Sequence, residues 1–248
     1  MLRDLKELKG YVLLAEDGEI GRCKDFLFDD HHWTVRYMVA DTGKWIPGRK
    51  VLISPISLGH PDWDSKRFPV RMTKKKIEQS PPLTADEPVS RKYEEEWFAH
   101  YGWAAYWGGG GLWGPFLNPG EIYRTSHSKN APPQKPEPTQ SHLRSALEVE
   151  GYHIQASNGR VGHLDNFIMD DETWALRYIV VDTRDWLPGR KVLVDPRWIK
   201  SVDWASSKMT IELTRKEIEK SPAYDHTAPV NRGYELQLYD YYGRPKYW

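Results

Sequence analysis

The chain has 248 residues, with 35 lysines and arginines balanced by 35 aspartates and glutamates, 12 tryptophans, 14 tyrosines and one cysteine. A formal net charge of zero gives no overall field to draw it to nucleic acid or an anionic membrane, and a single cysteine excludes an internal disulfide. No window reaches the 18 or more apolar residues of a membrane span, and the start MLRDLKELKG lacks a signal peptide's apolar stretch, so the expectation is a soluble, cytoplasmic protein.

Residue n matches residue n+141 from Leu2 and Leu143 to Trp107 and Trp248 without a gap, and between positions 10 and 55 the copies are identical at 22 of 46 places. That is an internal duplication. The expected organisation is a repeat at 1–107, a Gly/Pro-rich linker at 108–142 and a second repeat at 143–248. The linker opens GGGGLWGPFLNPG and closes APPQKPEPTQSH, a flexible composition followed by a semi-rigid one.

Within a repeat, residues 11–15 (YVLLA), 20–28 (IGRCKDFLF), 34–41 (TVRYMVAD), 50–58 (KVLISPISL) and 67–72 (RFPVRM) are short β-branched or aromatic runs between turn residues and read as strands. The EDG and SNG connections predict a tight hairpin, and Gly21 and Gly162 a bulge or a close backbone approach. Five or six short strands with tight turns predict a small barrel. In DTGKWIPGRK and DTRDWLPGRK, Asp41 and Asp182 end a strand. Pro47-Gly48 and Pro188-Gly189 then fit a type II turn. Trp45 and Trp186 are expected to cap one end of the barrel, and Arg49 and Arg190 to brace it by pairing with a carboxylate.

Helices follow the strands. Thr73 and Thr214 are placed as N-caps, Glu217 completes a capping box, and Ser80-Pro81 and Ser221-Pro222 end the segment. Lys74, Lys75 and Lys76 oppose the dipole at that helix start. A second helix runs from Ser90 or Asn231 to Gly102 or Gly243. Its stripe of Tyr93, Trp97 and Tyr101, repeated as Tyr234, Leu238 and Tyr242, is expected to dock on its own barrel or on the other copy.

The ordered set Gly18, Gly21, Asp25, Phe26, Asp29, Trp33, Tyr37, Val39 and Asp41 recurs as Gly159, Gly162, Asn166, Phe167, Asp170, Trp174, Tyr178, Val180 and Asp182. It resembles the PRC-barrel domain family, and the tails PVSRKYEEEWFAHYGW and PVNRGYELQLYDYYGRP resemble the helical extension of bacterial stand-alone members. Asn166 departs from the aspartate at its place. The resemblance implies two small PRC-type β-barrels in tandem, each followed by short α-helices. Its known members include the cytoplasmic part of the photosynthetic reaction-centre H subunit and the C-terminal part of the RimM ribosome-maturation factor. This implies protein binding or assembly, although the chain has neither the membrane helix of the first nor the extra N-terminal barrel of the second.

Chemistry-bearing residues are poorly shared between the copies. None of the nine histidines is matched, and Cys23 faces Leu164, reading as a buried small hydrophobe. Asp29, Asp30, His31 and His32 form the best metal candidate, but the second copy reads DDET and a solvated hairpin is the plainer reading. No pattern asks for a cofactor, and the balanced charge of each copy weighs against nucleic acid. The expected function is a non-catalytic adaptor or assembly protein whose domains bind protein partners or each other. Its candidate interaction surface is Trp45, Arg49, Trp186 and Arg190 with the two helix stripes. One alternative is a small-ligand site or enzyme near Asp41, Arg49 and Lys50. Another is a membrane-peripheral part of a photosynthetic or respiratory assembly, touching its surroundings through Trp113 and Phe116.

Overall fold

The computed structural model describes residues 1–84, 87–126, 142–184, 187 and 189–248. The first repeat runs β1 (Leu2–Asp4), β2 (Val12–Ala15), β3 (Gly18–Asp29), β4 (Thr34–Asp41), β5 (Val51–Ile53), β6 (Arg67–Pro69), α1 (Lys74–Glu78) and α2 (Arg91–Tyr101). Helix α3 (Pro119–Ser126) follows. The second repeat runs β7 (Leu143–Ser145), α4 (Ala146–Val149), β8 (His153–Ala156), β9 (Gly159–Asp170), β10 (Leu176–Asp182), β11 (Lys191–Val194), β12 (Ile199–Asp203), β13 (Lys208–Ile211), α5 (Arg215–Lys220) and α6 (Arg232–Tyr242). The chain is mainly β with short helices, as its β-branched runs and turn residues predict.

Two compact units form. The first-repeat unit holds Leu8–Leu147 and Glu172–Ala175, and the second-repeat unit holds Met1–Glu7, Glu148–Asp171 and Leu176–Trp248. In the first-repeat unit the strand order is β5-β4-β3-β2-β6, with β7 beside β3. The 12-residue β3 serves two neighbours: its start pairs with β2, and its end pairs with β7, Leu27 opposite Ser145 and Asp29 opposite Leu143. In the second-repeat unit the order is β11-β10-β9-β8-β13-β12, and β1 lies beside β9 in the equivalent register, Leu2 opposite Asp170 and Asp4 opposite Ile168. Each repeat's first strand therefore completes the sheet built by the other repeat.

The strand path among the described residues is open in both units, where the sequence predicts a closed barrel. The chain leaves the ladder at Pro55 and Pro196, which have no N–H to donate. Each opens a 3-10 turn capped by the Ser54 or Asp195 side chain. The edge strands β11 and β12 are joined by that turn alone, Pro196–Trp198. In the first-repeat unit an isolated bridge joins Leu58 to Val70 at the same place.

Local expectations are met at the caps and hairpins. Thr73, Ser90, Thr214 and Asn231 accept from the first helical turn, Glu217 completes its box, and Gly102 and Gly243 close α2 and α6 in the left-handed conformation. Gly21 and Gly162 sit at φ +134° and +144°, and a Cβ on either would fall on the carbonyl oxygen of Asp41 or Asp182. Opposite them the register slips, between Leu13 and Leu14 and between Ile154 and Gln155.

Residues 108–126, read as linker, are built into the first-repeat unit. A side chain at Gly109 or Gly111 would collide with the Gly114 backbone, so this glycine run is a close-packed turn and not a spacer. Trp113 at its tip is fully buried. The proline-rich part, 127–141, lies outside the described residues. Among the described residues no helix is long and apolar enough to cross a membrane.

Candidate functional site

Helical spacing puts Arg91, Glu94, Trp97, Phe98 and Tyr101 on the buried face of α2, so two charged residues share the stripe with three aromatics. Glu94 is held from three sides. Its Oε1 accepts from the phenols of Tyr37 at 2.9 Å and Tyr106 at 2.8 Å, and its Oε2 accepts from Arg91 at 3.0 Å. The Arg91 guanidinium lies 4.2 Å from the ring centroid of Trp107. Beside it Arg36, 1% exposed, donates to Asp29 at 2.9 Å and to the Leu112 carbonyl at 2.5 Å. Its guanidinium carbon is 3.8 Å from the Tyr106 ring and 4.8 Å from Trp113, whose indole N–H donates to the Thr173 carbonyl at 2.7 Å.

Burial and the adjacent Glu94 push the Tyr37 and Tyr106 phenols well above their usual range, so both remain neutral donors. Burial also raises Glu94, against the pull of Arg91, Tyr106 and Tyr37. Asp29 goes the other way: burial would raise it, but His32 and Arg36 outweigh burial and hold it well below the usual carboxylate range. Inside the cluster both carboxylates are hydrogen-bonded, whereas the Nε atoms of Arg36 and Arg91 are buried without a hydrogen-bond partner. Chemically it orients two cations among aromatic rings and ties α2 to β4.

The second repeat builds the same object. Glu235 accepts from Tyr178 at 2.8 Å and Tyr247 at 2.8 Å and forms an ion pair with Arg232 at 3.0 Å, and Arg177 pairs with Asp170 at 3.1 Å. Arg177 lies 4.2 Å from the Tyr247 ring and Arg232 3.9 Å from the Trp248 ring. Every member stands 141 residues after its counterpart. Exposure separates the copies: the Arg91 and Trp107 side chains are buried, whereas Arg232 is 51% and Trp248 46% exposed.

The duplicated corner turns out differently from its expectation. Arg49 donates to the carbonyls of Glu78 at 3.0 Å and Ser80 at 2.9 Å, and Arg190 to that of Ser221. The acceptors are backbone carbonyls and not a carboxylate, because the last carbonyls of a short helix have no partner within it and a guanidinium fork reaches two at once. Lys50 donates to the Glu87 carbonyl at 2.8 Å. Asp41 ends its strand and accepts from the Gly43 N–H at 3.0 Å, and Gly48 and Gly189 take φ +74° and +77°. Trp45 is half-buried, with the Lys74 ammonium 4.7 Å from its ring. Trp186 and Pro188 lie outside the described residues.

The helix stripes mostly face inward. Trp97, Tyr101 and Leu238 are buried and Tyr93, Tyr234 and Tyr242 half-buried. Tyr93 and Tyr234 donate to the carbonyls of Pro81 and Pro222 at 3.0 and 3.2 Å. Cys23 is buried, its thiol pushed up by burial. Asp30 pairs with Arg144 at 2.8 Å and His142 at 3.4 Å, and among the described residues no group of three or more potential ligands is placed to hold a metal ion. Lys74 is drawn to its helix start by Asp17, which accepts its backbone N–H at 2.7 Å.

Sequence reasoning missed Arg36, Arg91 and Glu94. The available signal was identity of charged residues between copies, at Arg91 and Glu94 on a helix face otherwise reserved for aromatics and at Arg36 within the apolar strand β4. No family model matches the chain, and no curated protein matches it.

Proposed function

We propose that this chain is a tandem PRC-barrel protein that acts as a non-catalytic adaptor or assembly module, binding protein partners. The ordered motif set repeated in both copies supports the family. The sheet edges that meet at Pro196–Trp198 support a barrel-like curl. The observation that carries the functional reading is that the charged residues the copies share are engaged internally. Glu94 and Glu235 each accept from two phenols and pair with one arginine, and Arg49 caps a helix end.

A small-ligand reading finds two depressions in the second-repeat unit, one of about 580 Å³ lined by residues that include Ser157, Lys200 and Lys208, and, beside the Asp41 counterpart, one of about 460 Å³ lined by residues that include Lys6, His163, Asp165, Asp182 and Arg184. In the smaller one the charges pair with one another, Asp165 with Lys6 and Asp182 with Arg184. At the equivalent positions the first repeat has Arg22 and Lys24 for His163 and Asp165, so the set is not shared. The membrane-peripheral reading needs Trp113 and Phe116 at the surface, and Trp113 is buried while Phe116 is half-buried.

Affinity capture from the native organism, followed by reconstitution of the captured protein with purified chain at defined stoichiometry, tests the proposal. Expected is a stable complex unaffected by Arg49→Lys. Failure to reconstitute any complex, together with a small ligand whose binding is lost on Arg190→Ala, would replace it with the ligand reading.

A further inference from the structure

The exchanged strands β1 and β7 are seated partly by contacts that are the same in both units. Arg3 pairs with Asp171 at 3.3 Å as Arg144 pairs with Asp30 at 2.8 Å. The backbone N–H groups of Lys6 and Leu147 donate to the side-chain oxygens of Asn166 at 3.3 Å and Asp25 at 3.0 Å. These contacts hold a strand in register without distinguishing which repeat it came from.

Other contacts differ in charge. In the second-repeat unit Asp4 accepts from the Asn166 amide, and the Lys6 ammonium pairs with Asp165 at 3.1 Å and Glu150 at 3.7 Å. In the first-repeat unit the places of Asn166, Asp165 and Glu150 are taken by Asp25, Lys24 and Lys9. That unit receives β7, whose Ser145 hydroxyl donates to Asp25 at 2.5 Å and which is followed by the uncharged Leu147 at the place of Lys6. In the same register, β1 on a first-repeat sheet would set Asp4 against Asp25, and Lys6 against Lys24 and Lys9. An acid would then meet an acid, and an ammonium two ammoniums. Two second repeats would meet no such repulsion, but they would give up both Lys6 pairs.

We propose that these residues form a pairing code: the end of β9 accepts the first strand of a first repeat, the end of β3 accepts that of a second repeat, and a first repeat rejects its own kind. The surface is built for the unlike repeat, in the same chain or in a second copy of it. Discrimination comes from the repulsive arrangement as much as from the attractive one, since half-exposed ion pairs contribute little by themselves. The code is independent of the adaptor reading, which stands whether or not it fails.

The test uses the full chain with a protease site placed within residues 127–141 and cut after folding. The two fragments should stay together as a one-to-one complex. Unfolding the cut chain in urea and then removing the urea should return unlike pairs in excess of first-repeat like pairs by about tenfold or more, read by native mass spectrometry. Two variants should remove that excess from opposite sides of the contact. Lys9→Glu, Lys24→Asp and Asp25→Asn together give the first-repeat sheet the residues of the second, and Asp4→Ser with Lys6→Leu gives β1 the residues of β7. Each is checked for folding by circular dichroism before cutting. Fragments that separate on cutting overturn the proposal, as does a statistical mixture of pairs from the wild-type chain. Absence of first-repeat like pairs from both variants overturns it too, because the selection would then lie in other residues.

Discussion

Asn166 donates its side-chain amide to the carboxylate of Asp4 on the exchanged strand β1. At the equivalent place in the first-repeat unit, the Ser145 hydroxyl of β7 donates to Asp25 at 2.5 Å. An acid faces a hydroxyl in one unit, and an amide faces an acid in the other. The departure of Asn166 from the repeated aspartate is thereby explained, since aspartates at both 4 and 166 would bring two carboxylates together.

Asn166→Asp tests that complementarity. One of the paired carboxylates would have its folded pKa raised above the unfolded value of about 3.9. The penalty is then present above the raised pKa and is relieved as pH falls through it. The variant should be less stable than wild type by about 2 kcal/mol at pH 7, with the gap in urea midpoints closing toward pH 4. A gap independent of pH would contradict the pairing.

Glu94→Ala should be the more damaging of two equivalent substitutions. It leaves buried Arg91 without its carboxylate, which costs about 3–5 kcal/mol. Glu235→Ala leaves Arg232 half in water and should cost about 1–2 kcal/mol. Chemical denaturation of both variants, followed by tryptophan fluorescence, gives the comparison, and equal losses would count against it.

Asp29 controls part of the acid limb. Its folded pKa is depressed because His32 and Arg36 outweigh burial, so its stabilisation is complete above the unfolded value and is lost as pH falls below it toward the folded one. Asp29→Asn should lower stability at pH 7 and flatten the decline between about pH 4 and pH 2. Parallel curves for variant and wild type would show that the pair is not formed.

Gly21→Ala and Gly10→Ala separate collision from strain. Both positions have positive φ, but only Gly21 would drive a Cβ into a carbonyl, that of Asp41, while Gly10 has open space. Gly10→Ala should cost about 1–2 kcal/mol, and Gly21→Ala more than twice as much or prevent folding. Expression level and thermal midpoint decide between them.

The strands, the four N-caps, the left-handed glycines and the approach at Gly21 were legible because each rests on a local preference written in a few adjacent residues. The strand exchange was not. LRD at β1 and LRS at β7 carry the same alternation, and nothing in three residues says which repeat's sheet they join. Trp113 was misread for a related reason, since a glycine run reads as flexible unless its close packing on Gly114 is known. The acceptors of Arg49 escaped because backbone carbonyls leave no mark in the side-chain sequence. Glu94 and Arg91 escaped because a charged residue on a helix face is ordinarily solvated, and only Tyr37 and Tyr106, distant in sequence, make their burial tolerable.

The central claim is that one cluster is built twice, with the buried Trp113 packed on Tyr106 and Arg36 in the first repeat and a half-exposed Trp248 at the second. Hydrogen exchange at the indole N–H groups, read by NMR with Trp113→Phe and Trp248→Phe used for assignment, tests it most directly. A Trp113 proton protected by its bond to the Thr173 carbonyl and a Trp248 proton exchanging orders of magnitude faster is the predicted result. Comparable exchange at the two indoles would contradict it.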